Sequence, residues 1–475
     1  MSISYPSTSP MGITPPSGAA RPRLTFLGTG YLGATYSICF AELGYEVLGF
    51  DVDEKKIALL NAGQVPFHEP GLDELLRKNL SSGRLRFGTS YEDVADFGDV
   101  HFICVGTPQR KDSMAADLSY VESAVTGLAP HLRRKALLVG KSTVPVGTTQ
   151  WIQELVRRHA PAESEIEVAW SPEFLQEGFA VEDVLRPNRI IFGVNSEWAS
   201  ALLYAANKGV FDLAMTEDRE VPVVVTDFAT AELVKVAANA FLATKISFIN
   251  AMAEVCEAAG ADVTMLARSI GYDARIGNKF LRAGVGFGGG CLPKDIRAFQ
   301  ARAQELGVGE ALRFLHEVDL INQRRRQRVV QLAADLLDRP NGPAGPDLSG
   351  CRITVLGASF KPNSDDVRDS PALSVAGKLA RSGATVTVYD PEGMENARRD
   401  TAAEISYAKV LSEAVTGADL VCVLTEWDEF RNADPQALGE LVAGRRVIDG
   451  RNCLDPALWV ASGWRYRGMG RPVAS

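Results

Sequence analysis

Short apolar runs, each ending at glycine or a polar residue, recur along the first half of the chain, with longer apolar-rich stretches between them. The first run, Leu24–Leu27, opens onto Gly28-x-Gly30-x-x-Gly33 and predicts a strand, followed by an apolar helix over 34–43 that Gly44 caps. A second strand, 46–50, ends at Asp51. Further strands are predicted at 100–106, 136–142, 166–171 and 189–194, with helices between most of them, for example 118–132 and Thr148–His159. Strands alternating with helices imply a parallel sheet covered on both faces.

From Thr226 the pattern turns almost purely helical. The stretch to Gly260 has no proline and reads as one long helix, apolar most of the way round, as in a helix that bridges domains or supports subunit association. Asp262 caps a shorter helix over 263–270, and 293–306 and 311–337 are helical again. Between them, 271–291 carries seven glycines. RPNGPAGPDLSG (339–350) reads as a linker. Beyond it CRITVLGASF, ATVTVYD, ADLVCVLTEW and RRVIDGR are strands of a second doubly wound unit, which lacks GxGxxG and so an ordinary dinucleotide site. The expected fold is α/β: two Rossmann-like doubly wound parallel-sheet domains (23–225 and 351–475) joined by a long central helix and a helical middle domain (226–338). Residues 1–22, rich in Ser, Pro, Thr and Gly, read as a disordered leader and not a secretory signal.

A length of 475 residues suits about three domains. The 46% hydrophobic and 23% charged content excludes a disordered or fibrous chain. A net charge of -9 excludes a general nucleic-acid footprint, leaving anions to local pockets. No run of 18 apolar residues occurs, so a soluble protein with no membrane span is expected. Seven scattered cysteines without CxxC spacing suit reduced thiols in the cytoplasm, and no metal site is read.

The strand, glycine turn, helix and second strand ending in an acid form a dinucleotide-binding fingerprint in full context. The glycines let backbone approach a pyrophosphate, whose charge the helix N-terminus favours. Asp51, 23 residues after Gly28, suits the ribose hydroxyls of NAD and repels a 2′-phosphate, so NAD is expected over NADP. Lys56 fits equally a phosphate neutraliser or a solvated helix residue. In 284–290, glycines precede Cys291-Leu-Pro293-Lys294-Asp295; Pro293 suits the first helical position, which puts Cys291 at a helix N-terminus that favours its thiolate. The residues leave open a small buried thiol in a glycine-rich turn. Lys235 and Asn239, at i and i+4 on the long helix, are either solvated or turned into a cleft, where they would donate to an oxyanion. The strand-end loops Lys141-Ser-Thr143 and Ser171-Pro-Glu173 lie at the carboxyl edge of the sheet, where Glu173 is either a general base or a helix-start carboxylate.

Taken together, GTGYLG, VGTP, KSTVPVGT, SPEFLQEG, AELVKVAANAFLATKISFIN, ARIGNKFLRAGVGFGGGCLPKD, FKPNSDDVRDSP and IDGRN resemble, in order, the motifs of the UDP-glucose/GDP-mannose dehydrogenase family, from residue 23 to about 455. The resemblance implies NAD-dependent, four-electron oxidation of UDP-glucose to UDP-glucuronate, two NAD being consumed, through a Cys291 thiohemiacetal and thioester. GDP-mannose or a UDP-N-acetylhexosamine is the alternative substrate, and an inactive nucleotide-binding homologue the alternative outside catalysis. It implies catalytic roles for Cys291, Lys235, Asn239, Asp295, Thr143 and Glu173. Cofactor contacts carried over are Gly28, Gly30, Tyr31, Leu32, Gly33, Asp51, Lys56, Thr107, Thr143, Glu177, Lys294 and Arg368. Substrate contacts carried over are Glu173, Phe174, Leu175, Lys235, Asn239, Arg275, Phe280, Leu281, Arg282, Phe287, Gly288, Lys361 and Arg451. Arg275 matches a residue that reaches the neighbouring subunit's site, which implies a homodimer through the central helix and allows a higher oligomer. Gly290 stands where the family usually has Ser, a change expected to loosen the loop slightly.

Overall fold

The computed structural model describes residues 21–342, 345–400 and 405–472. The expected leader lies outside the described residues except for Arg21 and Pro22; Pro22 is buried and the Arg21 guanidinium sits 5.1 Å over the Tyr45 ring. The chain divides into two compact units, one running to Thr107 and resuming over Ala116–Lys235, the other formed by Pro108–Ala115 and the chain from Val236 onward.

The first unit is built on an eight-stranded sheet: β1 (Leu24–Leu27), β2 (Val47–Phe50), β3 (Leu85–Gly88), β4 (Val100–Ile103), β5 (Ala136–Gly140), β6 (Ile166–Trp170), β7 (Ile190–Gly193) and β8 (Val223–Thr226). Their order is β3-β2-β1-β4-β5-β6-β7-β8, parallel throughout except for a single antiparallel bridge, Trp170 to Gly193, between β6 and β7. Central strands β1, β2 and β4 are buried on both faces, which is why they read as largely apolar runs; the two polar residues among them, Thr25 and His101, bond each other at 2.8 Å. Strands β3 and β8, absent from the sequence reading, occupy the two edges; Arg86 faces solvent and breaks the apolar run of β3, and Val224 faces solvent in β8. Helix α1 (Tyr31–Glu42) begins three residues earlier than expected, so Tyr31, Leu32 and Gly33 form its first turn. A short helix, α2 (Ala180–Leu185), follows the loop after β6.

Helix α3 (Phe228–Ala259) has 32 residues, the first eight in the first unit and the rest in the second. Among the described residues it is the one helix long and apolar enough to cross a membrane by length and composition. It nevertheless buries Glu232, Lys235, Asn239, Ser247 and Asn250, polar groups that the protein itself engages.

In the second unit, the Asp262 side chain accepts from the N–H groups of Thr264 and Met265 and so starts α4 (Val263–Gly271). Helices α5 (Leu292–Glu305) and α6 (Phe314–Leu336) follow. The stretch expected as a linker carries a short antiparallel ladder between Asn341–Gly342 and Gly345–Pro346. Six strands, β9 (Arg352–Leu356), β10 (Thr385–Tyr389), β11 (Ser406–Tyr407), β12 (Leu420–Val423), β13 (Arg446–Asp449) and β14 (Arg465–Gly468), form a wholly parallel sheet in the order β11-β10-β9-β12-β13-β14. Taken as third-second-first-fourth-fifth-sixth, this is the order of the first six strands of the other sheet, repeated without a repeated sequence.

Candidate active site

In the first unit the three fingerprint glycines do different work. Gly28 has φ +91°, and a Cβ on it would meet Val105 at 2.9 Å; a Cβ on Gly33 would lie 1.9 Å from the Gly28 carbonyl oxygen. Both let α1 pack against β1 and β4. A Cβ on Gly30, the N-cap of α1, would meet nothing within 4 Å, so bare backbone faces open space at a helix N-terminus. That cradle fits a pyrophosphate. At the end of β2, Asp51 accepts from Thr29 N (2.8 Å) and Oγ1 (3.2 Å) and pairs with Lys56 Nζ at 2.8 Å. Burial pushes the Asp51 pKa up, but the Lys56 ammonium and the N–H groups of Asp53 and Thr29 outweigh it and hold the carboxyl below its ordinary value. Lys56 is therefore neither a bare phosphate ligand nor fully solvated: it is the counter-ion of Asp51.

The second unit repeats this turn and closes it. Gly357 has φ +118°, and Asp390, at the end of β10, accepts from Ala358 N, Ser359 N and Oγ, and Trp427 Nε1. With the indole taking the acid and only 1% of Asp390 exposed, no ribose partner is left there.

Two further loops complete the first unit's edge. Thr107 Oγ1 donates to the Thr143 carbonyl at 2.7 Å, which joins the ends of β4 and β5. Glu173 Oε1 lies 3.1 Å from Lys235 Nζ, both side chains nearly buried, so Lys235 is turned inward and is not a solvated-face lysine. The Arg189 guanidinium stacks 3.6 Å over Phe174. Glu173, Phe174 and Leu175 line a cavity with Tyr36, Lys141 and Asn207. At its floor Lys141 Nζ donates to the Ser171 carbonyl at 3.1 Å and sits 4.4 Å over the Tyr36 ring; burial pulls its pKa down to about 8. Glu177 is partly buried in the same loop.

In the second unit the loop 284–290 is clamped from several sides. Gly284 N donates to Asn250 Oδ1 (2.9 Å) and the Gly284 carbonyl accepts from Arg325 Nε (3.2 Å). The Asn322 amide bonds both N–H (2.8 Å) and C=O (2.9 Å) of Phe287. Arg451 reaches the carbonyls of Gly286 (2.9 Å), Phe360 (3.0 Å) and Leu424 (2.8 Å). Glycine is required at two of these positions, where a Cβ would meet Asn322 Oδ1 at 2.3 Å on Gly286 and the Asp369 carbonyl oxygen at 2.3 Å on Gly288; on Gly290 it would meet the Arg368 guanidinium, the movable end of a long side chain, at 2.2 Å. The Arg368 guanidinium takes the space that a side chain at position 290 would occupy.

Cys291 is the N-cap of α5, and of the seven cysteines it alone is exposed. Pro293 is the second helical residue and not the first. One turn on, Asp295 is 2% exposed; its Oδ2 accepts from Asn239 Nδ2 at 2.6 Å and its Oδ1 pairs with Lys294 Nζ at 2.5 Å. Phe280 holds φ +62°, Leu281, Phe287 and Gly288 are buried, and Arg282 is exposed. Lys361 Nζ lies 5.5 Å over the Phe360 ring. Arg275 is 89% exposed and pairs with Asp273 at 2.6 Å.

Sequence reasoning missed the residues that hold these loops. Glu232, on the second turn of α3, accepts from Gly147 N, Thr149 N and Thr149 Oγ1 at 2.5–2.7 Å and so fixes the loop that follows Thr143. Asn250, Asn322, Arg325 and Arg326 serve the cysteine loop. Their signal was a polar group within an otherwise apolar helical face, which also marks an ordinary surface position.

The motifs match three family models in order. Residues 22–208 match the NAD binding domain of the UDP-glucose/GDP-mannose dehydrogenase family, 229–324 its central domain and 354–456 its UDP binding domain. The chain belongs to the UDP-glucose/GDP-mannose dehydrogenase family. It is 41% identical over 456 residues to the UDP-glucose 6-dehydrogenase of Rhizobium meliloti (strain 1021), covering 95% of this chain and all of that one. Among solved structures, a UDP-glucose dehydrogenase from Pyrobaculum islandicum matches with TM-score 0.85 at 36% identity, over 96% of this chain and 99% of the other. A UDP-D-ManNAc dehydrogenase from Pyrococcus horikoshii matches with TM-score 0.79 at 29% identity, over 94% and 99%. The fold expected from the pattern, two doubly wound sheets with a helical segment between, is that of this family.

Proposed function

We propose that the protein oxidises the C6 alcohol of UDP-glucose to the carboxylate of UDP-glucuronate, consuming two NAD+. The observation that carries this is Cys291: an exposed thiol at a helix N-terminus, behind a loop of glycines held by Asn250, Asn322 and Arg451. A two-electron alcohol dehydrogenation needs no nucleophile, whereas an alcohol-to-acid oxidation is served by one. The match to UDP-glucose dehydrogenases at 36–41% identity supports the substrate over the UDP-D-ManNAc reading at 29%.

The cradle at Gly28, Gly30 and Gly33, with Tyr31 and Leu32 in the first turn of α1, holds NAD+, which supplies the hydride acceptor for both oxidations. Asp51 takes the ribose hydroxyls and selects against a 2′-phosphate; Lys56, Thr107, Thr143, Glu177, Lys294 and Arg368 complete that site. Loss of a hydride from C6 and of the proton from its hydroxyl yields the aldehyde. Cys291 Sγ adds to it as thiolate, and the oxyanion formed is met by donors of the Lys235 and Asn239 kind. Loss of the second hydride leaves a thioester at Sγ. Water held by Glu173, Thr143 and Asp295 hydrolyses it and returns the thiol, so the balance is one water consumed, two hydrides and three protons released. Phe174, Leu175, Phe280, Leu281, Arg282, Phe287, Gly288, Lys361 and Arg451 hold the UDP-sugar, cations meeting its pyrophosphate.

The protein acts as a homodimer through α3, whose Phe241, Phe248 and Val255, seven residues apart, are 67%, 48% and 57% exposed along one stripe. Arg275, exposed beside that helix's successor α4, reaches the neighbouring site. Cytoplasmic residence accords with cysteines that form no disulfide among the described residues. The test is NADH release against UDP-glucose, GDP-mannose, UDP-N-acetylglucosamine and UDP-N-acetylmannosamine. Two NADH per UDP-glucose is expected; preference for another sugar nucleotide overturns the substrate, and no NADH with any of them overturns the reading as a catalyst.

A further inference from the structure

Glu69 lies in the first unit, in the loop 67–71 that no expected motif includes, and it is 6% exposed. Its carboxylate is filled from three sides. Oε2 accepts from the Tyr31 hydroxyl and from Gly178 N at 2.6 Å; Oε1 accepts from Ala180 N at 2.8 Å. Tyr31 opens α1, one residue after Gly30 of the nucleotide cradle. Gly178, with φ +77°, ends the loop that carries Glu173 and Glu177, and Ala180 opens α2. One buried side chain thus bonds the first turn of the cofactor helix to the far end of the loop that presents Glu173 to Lys235. The near end is held separately, by Lys141 on the Ser171 carbonyl, and the middle by Gln176 N on Asp183 Oδ2 at 2.8 Å.

We propose that Glu69 is a positioning residue for the reaction: it couples the NAD-binding turn to the 171–178 loop, so that cofactor affinity and the placement of Glu173 depend on the same carboxylate. The Tyr31 phenol belongs to this coupling, since burial and then Glu69 raise its pKa and keep it a donor. The inference rests on the reading of the loop as part of the oxidation site. Its chemistry is specific to a carboxylate. Both oxygens accept a backbone N–H, so a glutamine of the same size must, in either orientation, turn its NH2 against an N–H donor.

The experiment compares wild type with Glu69→Gln, Tyr31→Phe and the double variant, measuring NAD+ affinity by calorimetry without sugar nucleotide, kcat and both KM values with UDP-glucose, and thermal midpoint. Expected are NAD+ binding about five-fold weaker and kcat about ten-fold lower in Glu69→Gln, a smaller loss of both in Tyr31→Phe, and a double variant close to Glu69→Gln, because the phenol donates to the carboxylate and its direct contact, accepting from Gly178 N at 3.2 Å, is the longer one. A purely structural role would lower the midpoint and leave affinity and kcat per folded molecule untouched; that result, or losses that multiply in the double variant, overturns the proposal. Wild-type turnover separates the two readings: no NADH from wild type removes the substrate assignment while the calorimetry still tests Glu69, and equal NADH from wild type and Glu69→Gln removes Glu69 alone.

Discussion

Asn239 Nδ2 donates to Asp295 Oδ2 at 2.6 Å, across 56 residues of sequence, while Lys294 Nζ occupies the other oxygen at 2.5 Å. A carboxylate held on both oxygens cannot rotate, which is what a group that holds water must do. Asn239→Ala should lower kcat about a hundred-fold. Asn239→Asp is sharper: two carboxylates then face each other, and one must hold a proton for the contact to survive. Its rate relative to wild type is expected to fall as pH rises and the shared proton is lost, and to recover on acidification; a ratio that does not change with pH would remove Asp295 from the mechanism.

Cys291 is the cysteine most open to solvent, with Cys453 half-buried and the other five buried. Cys291→Ser should reduce net NADH release by roughly a thousand-fold or more. With substoichiometric iodoacetamide, peptide mass spectrometry should find the label on Cys291 first, since Cys39, Cys104, Cys256, Cys351 and Cys422 are buried. Sugar nucleotide should protect it.

Asp51 and Lys56 form one device. Asp51→Ser removes the charge that repels a 2′-phosphate and frees the Lys56 ammonium to meet it. The ratio of kcat/KM for NAD+ to that for NADP+ should fall by about a hundred-fold. An unchanged ratio would place cofactor choice elsewhere.

Lys141 sets a pH dependence of stability. Burial lowers its pKa from 10.5 to about 8. Between these values the unfolded chain holds the proton and the folded chain does not, so folding stability rises with pH across that window and carries the full cost of the buried charge below it. Other groups titrate there too, so the difference between wild type and Lys141→Met is the measurement. From pH 7 to pH 10 it should shift in favour of wild type by roughly 2–3 kcal/mol, read from denaturant midpoints.

The exposed stripe of α3 bears on assembly. Phe241→Glu with Phe248→Glu should convert a species of twice the chain mass to one of the chain mass in light scattering, with secondary structure retained. If the wild type already runs as a single chain, the dimer reading fails.

Both doubly wound sheets were legible because their central strands are buried on two faces and so are mostly apolar, the buried Thr25 and His101 bonding each other. Edge strand β3 was not, since one side of it meets water and tolerates Arg86; β8, a four-residue apolar stretch partly open to water, runs directly into the long helix. Glycine positions were equally legible: at Gly28, Gly286 and Gly288 a side chain would collide with protein atoms, so composition records geometry directly.

By itself the sequence determined the architecture, the nucleotide turn with its acid, and the types of residue that carry the chemistry, because backbone sterics and burial act locally and leave a periodic trace. Only the tertiary structure decided the pairings: Lys235 on Glu173, Asn239 on Asp295, Asp390 closed by Trp427, and Glu69 joining Tyr31 to Gly178. A hydrogen bond between residues far apart in the chain depends on where two elements come to rest, and a lone Glu or Asn reads the same in a polar stretch whether it faces solvent or a buried amide.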